Sequence, residues 1–236
     1  MKNRLFACCF FLFLISPLPV VHEGLRPEAP ANATNFDSIL NTEVPEFNLN
    51  EETIEVGLKR LASASAGFAM GFEHELKPRQ TDPPIPDPRL TLHLRKTTVR
   101  EALDAMCRAD SRYTWSEDET FVNVYPIKTV NDLSYLLNRR LMRLDLKGLT
   151  DIQQGLLAIV NQLPPPSEQV AVAQIGGDVS YPPEPWTTSY EDLTVRQAIN
   201  RIVHHMGERG SWAFTGSADF RAFAFNRQGF LFDSYN

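Results

Sequence analysis

Apolar residues along this chain follow two rhythms, and both recur. Between residues 98 and 106, Val99, Ala102, Leu103 and Met106 return at the spacing of one helix face; between 194 and 203, Val195, Ala198, Ile199, Ile202 and Val203 do the same. A threonine opens each run and an acid or amide comes three places later, Thr98 with Glu101 and Thr194 with Gln197. That spacing predicts a reciprocal capping box, which satisfies two orphaned backbone donors at each helix start.

After each helix the pattern predicts strand, polar turn, strand. Tyr113-Thr-Trp115 leads to Phe121-Val-Asn-Val-Tyr125, and Ser211-Trp-Ala-Phe214 leads to Phe220-Arg-Ala-Phe-Ala-Phe225. Upstream, Ile54, Gly57, Leu58 and Leu61 match Ile152, Gly155, Leu156 and Ile159 at one constant offset, so each copy also has an earlier helix.

The first copy is expected to start with a strand at Phe47-Asn-Leu49 and a cap at Asn50, its helix burying Ile54, Leu58, Leu61 and Ala62. Gly67 ends that helix, residues 68–72 read as a strand, and residues 90–94 alternate as the next. Between them, the proline-rich residues 78–88 cannot be a central strand, because each proline removes a ladder donor. The second copy starts at Leu144-Asp-Leu146, with a helix capped at Thr150 and Gln153 and stopped by prolines 164–166. Its middle, residues 170–190, carries Gly176, Gly177 and several prolines where a strand is expected, which leaves its sheet open.

The expected fold class is α+β, as two tandem small domains, each with two helices on one face of a small mixed sheet in the order β-α-β-β-α-β-β. The domains span residues 46–128 and 143–228, joined by a linker or short helix at 129–142 and ending in a tail at 229–236. In the linker, Leu133, Leu136, Leu137 and Leu141 are spaced like an amphipathic turn that would pack the domains together.

These features resemble the secretin and TonB short N-terminal domain. The resemblance is carried by residues 90–94, by Val99, Ala102, Leu103 and Tyr113, and by the terminal strand at 121–125. It covers about 80 residues of the first copy; in the second it holds mainly over residues 194–225. It implies a non-catalytic module that binds protein partners through sheet edges and helix faces. In that family such modules usually precede a multimerising channel or a plugged outer-membrane barrel. The stretch beyond Phe225 is too short for either, so the expectation is a free-standing pair serving another molecule.

The N-terminus changes the picture of where the chain works. Basic residues Lys2 and Arg4 precede an apolar run over residues 5–15 and then Ser16 and Pro17. A membrane-spanning helix needs about 20 apolar residues, so this shorter run predicts a secretory signal over residues 1–22. Ala31 and Ala33 offer a later cut, up to residue 33, and residues 23–45 read as a flexible tether. An uncleaved anchor is the alternative, opposed by Pro17 and Pro19. The expected location is exported, periplasmic or secreted, with no stable membrane span in the mature chain. Cys8 and Cys9 would leave with the signal, so Cys107 has no internal disulfide partner and reads as an inert thiol.

Net charge is −6 at pH 7, and more negative once Lys2 and Arg4 are removed. With no basic cluster, nucleic acid and anionic membrane surfaces are not expected partners.

Candidate chemistry is thin, and neither a metal nor a cofactor is expected. His204, His205 and Glu208 form the best metal constellation, with residues 204 and 208 on one helix face, but a site needs at least three protein ligands. Glu73 and Glu75 share one strand face with His74 on the other; as an acid-base pair they would need a substrate between them, and the expected state is solvated. Gly176-Gly-Asp178 lacks the rest of a phosphate loop, and no G-x-S-x-G elbow occurs. Trp212, Phe214, Phe220, Phe223 and Phe225, with Phe230 and Phe232 beyond, are either core filling or a partner-docking face.

The expected function is therefore an exported, non-catalytic protein-interaction or assembly module of a bacterial envelope. Its partner would be a secretin, pilus or outer-membrane receptor component, or a second copy of itself. The alternative is an exported ligand-binding protein or metal-dependent hydrolase with a cleft between the copies.

Overall fold

Both capping threonines start their helices as their spacing predicts. In the computed structural model, which describes residues 36–65, 67–79, 81–83, 85–163, 169–174, 185–206, 210–217 and 220–226, Thr98 Oγ1 accepts from the Glu101 N–H at 3.2 Å and Glu101 Oε2 accepts from the Thr98 N–H at 2.8 Å. Thr194 and Gln197 repeat the exchange at 3.2 and 2.9 Å.

The elements in chain order are α1 (Phe36–Leu40), β1 (Glu43–Glu52), α2 (Ile54–Ala64), β2 (Ala69–Glu73), β3 (Leu90–Thr98), α3 (Val99–Ala109), β4 (Tyr113–Asp118) and β5 (Phe121–Pro126). Then come β6 (Arg140–Leu149), α4 (Ile152–Gln162), β7 (Gln169–Gln174), β8 (Trp186–Thr194), α5 (Val195–Met206), β9 (Ser211–Gly216) and β10 (Phe220–Asn226). Single 3-10 turns lie between β5 and β6, at Ile127–Thr129 and Leu136–Asn138. The protein is α+β, and the order β1-α2-β2-β3-α3-β4-β5 is repeated by the same order from β6 to β10.

The two sets of elements share one sheet. A six-stranded sheet runs β4-β5-β2-β9-β10-β7, and two further sheets pair β1 with β3 and β6 with β8, both antiparallel. At its centre β2 pairs parallel with β9, Gly71 opposite Trp212, so the described residues form one compact unit. Each helix pair packs against its two-stranded sheet as well as the large one: Leu49 of β1, Leu58 of α2, Leu103 of α3 and Phe72 of β2 are all buried in one cluster.

Glycine sets the helix crossing in both halves. A Cβ on Gly57 would sit 2.7 Å from Met106 Sδ and 2.9 Å from Leu49 Cδ1, and one on Gly155 would sit 3.0 Å from Ile202 Cδ1. The repeated glycine is thus the residue that lets α2 approach α3 and α4 approach α5.

Several expectations need correction. β1 continues to Glu52, so Asn50 lies within a strand and Thr53 caps α2, its Oγ1 accepting from the Val56 N–H at 3.4 Å. β6 likewise runs to Leu149, and Asp151 rather than Thr150 caps α4, accepting from the Gln154 N–H at 2.8 Å. Thr150 bonds Gln154, not Gln153. The later part of the expected tether is folded: Phe36–Leu40 is helical, and Leu40 and Val44 are fully buried.

Between the copies, Leu136 and Leu137 are buried on a 3-10 turn, whereas Leu133 is 82% exposed. The open question in the second copy resolves into two strands, β7 and β8, flanking residues 175–184. Gly176, Gly177, the residues read as a signal, and Phe230 and Phe232 lie outside the described residues. Among the described residues no helix is long and apolar enough to cross a membrane.

Candidate interaction site

The junction between the copies shows what the repeated helix can bind. Along α5, Arg196, Asn200 and His204 stand one turn apart and reach strands and turns of the first copy and the segment that joins the copies. Arg196 Nη2 donates to Glu73 Oε2 at 3.1 Å, its Nε donates to Oε1 of the same carboxylate, and Nη1 donates to Asn138 Oδ1 at 2.8 Å. Its guanidinium also lies 4.5 Å from the centre of the Tyr125 ring. Asn200 donates to Asp118 Oδ2 and accepts from the Trp212 indole N–H, each at 2.8 Å. His204 Nδ1 sits 3.2 Å from Thr120 Oγ1.

Glu73 is completely buried. Burial pushes its carboxyl above the ordinary value and Arg196 pulls it back by charge and hydrogen bonding. Burial, and then the Glu73 charge, also push the Tyr135 phenol up. The carboxylate read as solvated is therefore the buried centre of the junction. Glu75 goes elsewhere, accepting from Lys128 Nζ at 2.5 Å and lying 3.5 Å from Arg112. The two carboxylates do not converge on one substrate position.

The same three helix positions recur on α3 as Arg100, Asp104 and Arg108, and there they line an open groove of about 630 Å³. Its floor is β4, with Trp115 and Glu117. Trp115 donates its indole N–H to Asp104 Oδ1 at 2.8 Å, as Trp212 does to Asn200. What differs is the cover. Trp212 lies against Gly71 of β2 and is 1% exposed, whereas Trp115 is half-buried and β4 has no strand on its outer side among the described residues. Arg196 keeps 13% of its side chain in solvent and Arg100 keeps 36%, bonding the surface carboxylates of Glu117 and Asp37 and lying 5.5 Å from the centre of the Trp115 ring.

The aromatic candidates do not form a docking face. Trp212, Phe214, Phe223 and Phe225 are each at most 3% exposed, because their strand face packs under α4 and α5; only Phe220 is partly exposed. His204 and His205 diverge, His204 toward Thr120 and Phe121, His205 stacked on Trp186 with ring centres 3.8 Å apart. Burial and the neighbouring His204 lower the His205 pKa. Glu208 lies outside the described residues, and among those described no cluster of three or more His, Cys, Asp or Glu could hold a metal.

Cys107 lines the groove, yet its thiol is pushed up to about 12 by burial and then by Asp104 and Asp110. It is a poor nucleophile near neutral pH. Two further titratable groups feel the charge of Asp87 on the proline-rich loop: Glu55 is raised to about 7 by burial and then by Asp87, and His74, 3.7 Å from it, is lowered to about 4 by burial.

Arg100, Asp104 and Trp115 are not among the sequence candidates. The signal for them is the repeated order of elements, which places Arg100 where Arg196 stands and Asp104 where Asn200 stands. No protein-family model, curated protein or solved structure matches the chain.

Proposed function

We propose that this chain is an exported, non-catalytic protein-interaction or assembly module of a bacterial envelope, similar to the short N-terminal domains of secretins and TonB-dependent receptors. It takes its partner as a strand added to β4. The observation that carries this reading is the contrast between two equivalent strands. β9 is covered by a parallel strand beneath α5, while β4, beneath the equivalent α3, faces an open groove. Strand addition supplies affinity through backbone hydrogen bonds and specificity through alternate side chains. Arg100 and Trp115 line the position such a strand would take, as Arg196 and Trp212 line the positions of Glu73 and Gly71.

The test is in-cell photocrosslinking from two positions of the exported chain, Ser116 on β4 and Leu157 on the exposed side of α4. A discrete envelope-protein adduct from Ser116 alone is the expected result. Equal labelling from both positions, or none from Ser116, contradicts it.

A further inference from the structure

The two copies are related by an operation that does not close on itself. The first contributes β4-β5-β2 to the large sheet and the second β9-β10-β7, the same order. Pairing is antiparallel then parallel within each half, and β2 runs parallel to β9. Every strand of the second half therefore points opposite to its counterpart. Reversed direction at unchanged order is a half-turn about a line running across the strands, combined with a step of three strands.

Such a half-turn must also exchange the two faces, and it does. Met70, Phe72, Val122 and Val124 join the core of α2 and α3, whereas Ala69 and Phe121, alternate residues of the same strands, join the core of α4 and α5. A rotation with a translation is heterologous, and a heterologous interface that does not close leaves half of itself free at each end. Those ends are β7, the counterpart of β2, and β4, the counterpart of β9.

We propose that the chain self-associates head to tail, β7 of one copy pairing parallel with β4 of the next as β2 pairs with β9 inside each chain. This rests on the reading of β4 as a strand-accepting edge and names a second copy as its occupant. The groove under α3 lies where the internal junction holds β2. Arg100 is already neutralised by Glu117 and Asp37, so an uncharged incoming strand orphans no charge. β7 is such a strand, Gln-Val-Ala-Val-Ala-Gln, without the charge or proline that usually guards an edge. Its outer side pairs with no strand among the described residues.

The experiment is light scattering of the full exported chain over a wide concentration range, with two edge variants, Ser116→Lys on β4 and Ala171→Lys on β7, each checked for folding by circular dichroism. Wild-type mass should climb past twice the monomer's. Each variant alone should stay monomeric, and an equimolar mixture should form a dimer and stop, because one intact β7 meets one intact β4. A wild-type chain that is monomeric throughout, or assemblies that neither variant blocks, overturns the proposal. The wild-type series decides even where a variant fails to fold. A monomeric chain that still crosslinks to another envelope protein through Ser116 would remove self-association while leaving the strand-accepting edge in place.

Discussion

Arg196 of the second copy holds the fully buried Glu73 of the first through two guanidinium nitrogens and both carboxylate oxygens, 123 residues apart in the chain. This pair joins α5 to β2 across the junction. Breaking a buried pair from one side leaves an uncompensated charge and costs about 3–5 kcal/mol, whereas replacing both partners by apolar groups of similar volume is often near neutral. Arg196→Met should therefore lower stability by about that amount, and adding Glu73→Leu should recover most of it. Urea unfolding at neutral pH measures both; equal stability of the single variant and wild type would contradict the account.

Glu55 and His74 give opposing pH dependences. The Glu55 carboxyl, about 7 when folded against an ordinary 4.5, keeps a proton that the unfolded chain releases, so this group's contribution is lost as pH rises through that window. His74, about 4 against 6.5, stays neutral while the unfolded chain protonates, so its contribution is lost as pH falls from 6.5 toward 4. Glu55→Gln removes the first dependence alone. The variant should gain stability over wild type between pH 5 and pH 8, read as the difference in urea midpoint, and an identical difference at both pH values would count against the assignment.

Gly71 should tolerate no side chain. A Cβ there would lie 2.3 Å from Trp212 Cζ2, inside the central pairing of the sheet. Gly71→Ala should cost about 1–3 kcal/mol by overpacking, and Gly71→Val more. Gly148→Ala, at a φ of +60° with nothing within 4 Å, should cost only the left-handed penalty, about 1–2 kcal/mol. Thermal unfolding of the three variants would settle the order, and a neutral Gly71→Val would sink the close approach.

Cys107 should be slow toward iodoacetamide at pH 8 in the native chain and react at an ordinary rate after unfolding, because its protection comes from a thiol held near 12. Rapid native alkylation would show a lowered pKa instead.

Local signals are the most legible in the sequence. The capping boxes at Thr98 and Thr194, the helix faces and the hairpin strands come from periodicity and side-chain chemistry within a few residues. Caps one to three residues off, at Thr53 and Asp151, reflect strands that run longer than their apolar alternation requires. The shared sheet is not legible, since β2 pairing with β9 is decided by shape across some 140 residues, with Gly71 accommodating Trp212. For the same reason Glu73 reads as a solvated acid: its partner Arg196 is nowhere near it in sequence. The site on α3 is visible only by comparing the copies, as Arg100 with Arg196 and Asp104 with Asn200.

The most direct measurement of the strand-accepting edge is residue-resolved hydrogen exchange of the chain, dilute and alone, then bound to whatever its Ser116 position captures. The β2 and β9 amides should exchange slowly in both states, and the outward amides of β4 should exchange fast when free and slowly when bound. Outward β4 amides as protected as those of β2 in the dilute chain, or unchanged on binding, would contradict the account.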